Sequence, residues 1–488
     1  MPDGRTRRVR PSSLHPHGSA QGGRGLRTAQ GDRRITREGP APGGIDASWV
    51  EFVLCCLVAA SAFIVLPRFI LVPSLLVPTL AVYAVALLRR WSQAGRLAAF
   101  LLFLAVIGVA PTLLMMDAYH TTGSPTWAHD GGVIVTGRAV EELLAGRDPY
   151  AVSYAAEVRG GFLVVDGLLT ENPIRDHYPY SPGMFLFQLP LMAPVLALGF
   201  SPDARWLYLL VYAVLGVGFA RWSLRERGDL LVPLFLLAIP LFLPFLWQGQ
   251  SDVLLLAGLV GLALALGRDR PVPGALALGL ALSTKLLLAP FALVFLVWVA
   301  AGARQGRLDR STAVRAAGAL LLPGVVTMAP FLLWHPGAMI QDVLLYHAGL
   351  APPRYPIGGA GLPALLFEVD VVHDRWAAAP AWSTLLPTVA ALVGACAWVW
   401  RRTGVADLLG AGAAASLASL YFSRAFTMTY WWLPVALLSL AAVARPGPRR
   451  SEGSPGGDGP VVREVAAVSA SVPAAGPAVA ERTSRPAR

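Results

Sequence analysis

Between Val50 and Ala444 the chain is a succession of apolar runs, each broken by a short polar or arginine-bearing stretch. A run of roughly 20 such residues crosses a bilayer as a helix, because a helix satisfies its own backbone groups in hydrocarbon. The candidate spans are Val50–Pro67, Phe69–Leu88, Leu97–Met116, Met184–Phe200, Trp206–Ala220, Leu230–Trp247, Val253–Leu266, Gly274–Ser283, Leu286–Ala300, Ala316–Trp334, Ala381–Trp400, Val405–Tyr421 and Thr429–Ala444. They predict an all-α fold, a polytopic transmembrane bundle of about a dozen helices, some short or re-entrant. Only 14% of the residues are charged, where a soluble domain carries about 25%. The net charge of +11 is therefore not read as a nucleic-acid signature. Its arginines sit in flanks and short loops, as the positive-inside rule places them.

Residues 1–46 and 445–488 are rich in Arg, Gly, Pro, Ala and Ser and are expected to be disordered cytoplasmic tails around a membrane domain at 47–444. The first apolar run starts too late for a cleaved signal peptide. Cys55, Cys56 and Cys396 all lie in apolar runs, as small hydrophobes do, and imply no disulfide. With the arginine clusters at 89–96, 221–227, 268–270, 304–315 and 401–402 all cytoplasmic, the segments 117–181, 248–251, 335–380 and 423–428 fall on the outer face. One interval resists this scheme. Three apolar runs separate Arg96 from Arg221, and the run after Ser181 carries Pro182, Pro190 and Pro194, as a broken crossing would.

The outer segment 117–181 is long for a connection, and long loops are often functional. A probe of its periodicity predicts an amphipathic helix from Gly132 to Ala145, with Gly146 as its C-terminal cap, lying flat on the outer interface. Asp130 precedes it. An acid there serves as an N-cap, or as a general base toward an acceptor hydroxyl arriving from water. His129 is read either as a phosphate contact or as an ordinary loop residue. Asp117 is the rival carboxylate, or a polar helix end.

Lys285 is the chain's only lysine and interrupts the apolar stretch from Gly274 to Ala300. A charge there is costly and points to function. The stretch is expected to fold as a hairpin of two short helices, with Lys285 at the turn facing a lipid phosphate. An ion pair or a snorkelling contact is the ordinary alternative. Gln248-Gly249-Gln250-Ser251-Asp252 is a dense hydrogen-bonding turn, although any helix connection needs polar residues. Weaker candidates are His177, Tyr178, Tyr180, Arg354, Tyr355, Arg424 and Tyr430. The aromatics serve equally as interface anchors, and Arg424 lies on the face where arginines are scarce.

Four stretches carry a resemblance. His129-Asp130-Gly131-Gly132 with Glu141 to Tyr150, His177-Tyr178-Pro179-Tyr180-Ser181-Pro182, Gln248 to Asp252, and Gly279 to Lys285 occur in the order seen in polytopic GT-C glycosyltransferases. They most resemble glycosyltransferase family 87, the polyprenyl-phosphate-mannose-dependent mannosyltransferases. Gly131 and Gly132 depart from that pattern, which has bulkier residues after the aspartate. The resemblance implies inverting transfer of a sugar, mannose in that family, from a polyprenyl-phosphate donor to a cell-envelope glycolipid or glycan at the outer face of the plasma membrane. It implies Asp130 as the base, and Lys285, Arg424 and His129 at the donor phosphate. Tyr150, His177, Tyr180, Gln248, Gln250, Asp252, Arg354 and Tyr430 are the expected substrate contacts. No cofactor beyond the lipid-linked donor and no metal is expected. Two rivals share the helical pattern: a lipid or sugar transporter, which has no need of an interfacial carboxylate, and a non-catalytic envelope-assembly protein.

Overall fold

The computed structural model describes residues 47–65, 71–158, 162–165, 168–238 and 242–444. The tails expected at 1–46 and 445–488 lie outside the described residues. The chain divides at Asp46/Ala47, and every described residue belongs to the second unit.

The apolar runs fold as helices. Among the described residues, five are long and apolar enough to cross a membrane: Gln93–Thr122, Arg205–Glu226, Leu286–Arg304, Arg310–Trp334 and Ala381–Arg401. Their starts follow from local chemistry. The Ser92 hydroxyl accepts the Gly95 N–H and the Asp309 carboxylate accepts the Thr312 N–H (2.8 Å), each satisfying a donor that the first helical turn leaves open. Shorter apolar helices pack with them, among them Asp252–Leu266, Pro271–Leu282, Val405–Tyr421 and Trp432–Ala444.

Small residues set how closely these helices approach. A Cβ on Gly258 would stand 2.4 Å from the Ala281 methyl, and one on Gly279 would stand 2.3 Å from the Leu320 carbonyl oxygen. Helix Pro271–Leu282 is thus held backbone-to-backbone between Asp252–Leu266 and Arg310–Trp334. Glycine and alanine permit such contact where hydrocarbon surroundings give little hydrophobic drive.

Three expectations change. The run 184–200 forms only Gly183–Leu186 and Leu189–Ala197. The longer piece reaches ~13 Å, far short of a ~30 Å hydrocarbon core. Its prolines remove backbone donors and keep the pieces apart. The stretch around Lys285 is not two equal short helices. Pro271–Leu282 is short, whereas Leu286–Arg304 is long enough to cross. The expected surface helix after Asp130 begins as a π-helical turn, Asp130–Val135, and continues as Thr136–Leu144. Its apolar face is real but is covered by protein: Ala139 and Val140 are fully buried, while Leu144 is exposed. Gly146, with φ of 74°, ends it as expected, where a left-handed residue suits glycine.

Among the described residues, strand is confined to two small pairs. Phe162–Val165 and Leu168–Glu171 form an antiparallel hairpin, and Gly358–Gly359 runs parallel to Ala425–Phe426. The second pair joins two loops beside the cavity described next.

Candidate functional site

A cavity of about 550 Å³ opens where the loops gather at one end of the helices. His129, Asp130, Tyr180, Gln248, Gln250, Lys285, Arg424 and Tyr430 all line it. Residues of the four stretches that carry the resemblance therefore share one space with Arg424 and Tyr430, and backbone contacts bring those four stretches together in pairs.

The first contact joins the Asp130 loop to the glutamine turn. The His129 N–H donates to the Gln248 carbonyl (2.7 Å). A Cβ on Gly132 would lie 2.2 Å from the Gly249 carbonyl oxygen, and one on Gly131 would strike the Tyr180 hydroxyl at 2.5 Å. Gly131 and Gly132 are thus what lets these segments meet. Gly249 sits at φ 85°, where a side chain is strained and would also strike Val133 and Arg205. The second contact joins the proline segment to the lysine turn: the Gly183 N–H donates to the Ser283 carbonyl (3.0 Å).

Lys285 is extended (φ −155°), between the end of Pro271–Leu282 and the turn that starts the next helix. Its ammonium donates to Asp252 Oδ1 (3.0 Å) and stands 5.6 and 5.3 Å from the ring centres of Tyr180 and Tyr430. Two aromatic faces and a carboxylate surround the cation, and both kinds of group favour its charged form. The ordinary alternative of an ion pair is realised, on a residue that still lines the cavity. Asp252, expected at the substrate, is instead a buried counter-ion.

Asp130 is the first residue of the π turn. Its Oδ1 accepts the Gly131 N–H (2.6 Å) and its Oδ2 accepts from Asn172 Nδ2 (2.6 Å). A third of its side chain stays exposed, so lone pairs remain free toward the cavity. The N-cap is not Asp130 but His129, whose Nδ1 accepts the Gly132 N–H (2.8 Å). That bond fixes the imidazole as neutral at Nδ1, and burial lowers its pKa from the usual histidine value. Asp117 lies within the helix that runs on to Thr122; it is exposed and does not line the cavity.

Arg424 lines the cavity wall, yet its guanidinium is engaged elsewhere. Nε donates to the Tyr355 carbonyl, Nη1 to that of Ala377, and Nη2 to that of Arg375 (2.8 Å). Burial, with repulsion from Arg354, pushes its pKa down to about 10. It pegs the 355–377 loop in place. Arg354 is exposed, donates to the Trp376 carbonyl and is not part of the lining.

Tyr150 and His177 stand behind the wall rather than in it. The Tyr150 hydroxyl donates to the Tyr180 carbonyl (2.7 Å), and His177 Nδ1 pairs with Asp342 Oδ1 (2.7 Å). Burial raises the Asp342 pKa against the opposing pull of His177. Sequence reasoning missed Asn172, Tyr346 and His347, all in the lining. Asn172 had a signal, the Asn-Pro step of a capped turn, and its Oδ1 accepts the Ile174 N–H. His347 had none; it donates to the Pro179 carbonyl (2.7 Å). Among the described residues no three His, Cys, Asp or Glu side chains gather as a metal site would.

A second, apolar groove of about 430 Å³ is lined by Phe187, Leu207, Val211, Leu254, Leu280 and Thr284, among others. Thr284, in the groove's lining, precedes Lys285 in the chain, which lines the cavity.

No protein-family description, curated protein or solved structure matches this chain.

Proposed function

We propose that this chain is a multi-pass plasma-membrane glycosyltransferase, with both termini cytoplasmic and its cavity on the outer face. It transfers a sugar, mannose by resemblance, from a polyprenyl-phosphate donor to a cell-envelope glycolipid or glycan, with inversion. The observation that carries this reading is one cavity lined by both a partly exposed carboxylate, Asp130, and the chain's only lysine, Lys285.

The chemistry needs those two charges. Asp130 takes the proton of the acceptor hydroxyl as its oxygen attacks the anomeric carbon. The bond from that carbon to the phosphate oxygen breaks, and its electron pair leaves with polyprenyl phosphate. Lys285 faces the charge that develops on the leaving phosphate, where a preorganised cation has most effect. Amide side chains and tyrosine rings in the same lining suit a polyol. The apolar groove, whose lining includes Thr284 beside Lys285, suits an isoprenoid tail.

The test is transfer from labelled polyprenyl-phosphate mannose by membranes containing the wild type, Asp130→Asn or Asp117→Asn. The reading expects transfer by the wild type and Asp117→Asn, and a loss of at least a hundredfold in Asp130→Asn at equal expression. Equal transfer by all three removes Asp130 from the mechanism. Transport of the lipid without sugar transfer, unchanged in Asp130→Asn, would select the transporter instead.

A further inference from the structure

The cavity wall contains a hydroxyl that the protein leaves unused. Tyr346 lines the cavity, is 3% exposed, and its Oη has no hydrogen-bond partner. A buried polar group without a partner is costly and is rare in a folded protein. Here the cost is maintained by a dedicated support. The His177 ring packs on the Tyr346 ring at 4.4 Å between centres, and Tyr355 meets it edge-on at 6.1 Å. His177 is itself fixed by Asp342, whose other oxygen accepts the Tyr178 N–H (2.8 Å). The Asp342 carboxylate, the His177 ring and the Tyr346 ring therefore form a chain of supports that ends in an unsatisfied hydroxyl in the wall shared with Asp130.

We propose that Tyr346 is a substrate-recognition residue, whose hydroxyl hydrogen-bonds a hydroxyl of the sugar bound beside Asp130, with His177 and Asp342 as positioning residues. This deepens the glycosyltransferase reading and rests on it. An uncharged polyol is the matching chemistry. The phenol both donates and accepts, as a sugar hydroxyl does, and the neighbouring lining of Asn172, Gln250 and Tyr355 adds amides and an aromatic face without adding charge.

The test compares the full-length wild type with Tyr346→Phe in detergent. Phenylalanine keeps the ring and its stacking and removes only the unused hydroxyl. The ligand-free unfolding temperature should therefore hold or rise, whereas a structural hydroxyl would lower it. Binding of mannose and of a mannose disaccharide, read by thermal shift, should weaken about tenfold, with KM in the transfer assay rising and kcat held within about twofold. His177→Phe, which keeps a stacked ring but loses the bond to Asp342, should weaken binding in the same direction. Equal sugar binding by wild type and Tyr346→Phe overturns the role of Tyr346 and leaves the transferase reading standing. A lowered ligand-free unfolding temperature with unchanged affinity makes the hydroxyl structural and also overturns it. Absence of both sugar binding and transfer in the wild type overturns both readings.

Discussion

Nζ of Lys285 lies 3.0 Å from Oδ1 of Asp252, in a pair whose side chains are only 12% and 2% exposed. The pair bridges the lysine turn and the start of helix Asp252–Leu266, so it sets the spacing of two of the four stretches around the cavity. Removing one partner strands the other charge in a dry place. Asp252→Leu should cost about 3–5 kcal/mol of stability, seen as a large fall in unfolding temperature in detergent. Combining Lys285→Met with Asp252→Leu should recover most of that loss, because neither charge is then buried alone. A double-mutant cycle on unfolding temperatures checks this coupling. Additive losses would show that the two side chains do not depend on each other. Transfer should be lost in every variant that lacks Lys285.

Gly132 and Gly146 give a matched contrast. Gly132→Ala would push a methyl to 2.2 Å from the Gly249 carbonyl, whereas a methyl on Gly146 meets nothing within 4 Å. At Gly146 the cost is confined to the left-handed backbone, about 1–2 kcal/mol. At Gly132 the Asp130 turn and the glutamine turn must separate. Transfer should fall at least tenfold in Gly132→Ala and by less than threefold in Gly146→Ala, and amide exchange at 129–135 should quicken only in the former.

His129 makes the site sensitive to acid. Its folded pKa lies below the usual 6.5, with burial as the first cause. As pH falls, the unfolded chain therefore takes up the proton first, and the folded chain is penalised. The contribution of the Nδ1 cap is fully present above about pH 6.5 and is lost as pH drops through the lower folded value. Unfolding temperature should decline across that window in the wild type. His129→Asn, whose amide oxygen can accept the Gly132 N–H without titrating, should show a flatter profile. Parallel profiles would remove His129 from the acid response.

The helices were legible because an uncharged apolar run has few folds open to it. Lys285 was legible because a lone charge in such a run demands a partner. Its partner was not, since Asp252 reads as one more polar residue in a helix connection, and nothing in its sequence neighbourhood reports a cation 33 positions away. The helix after Asp130 shows the limit of periodicity. The apolar face of Thr136–Leu144 is written in the sequence, but whether lipid or protein covers it depends on elements far along the chain. Arg424 shows the limit of charge rules. Its place on the arginine-poor side suggested a phosphate, whereas three backbone carbonyls of the 355–377 loop hold it. Tyr346 and Asp342 fall in a segment read only as an outer loop, and their importance arises from contacts with His177, which lies 165 residues before Asp342.

The solitary lysine has a chemical consequence. The chain carries one side-chain amine, and that amine looks into the cavity. A small amine-selective acylating reagent thus has a single internal target, and the rate at which it marks position 285 becomes a direct gauge of how open the chamber is and of whether an anion already occupies it.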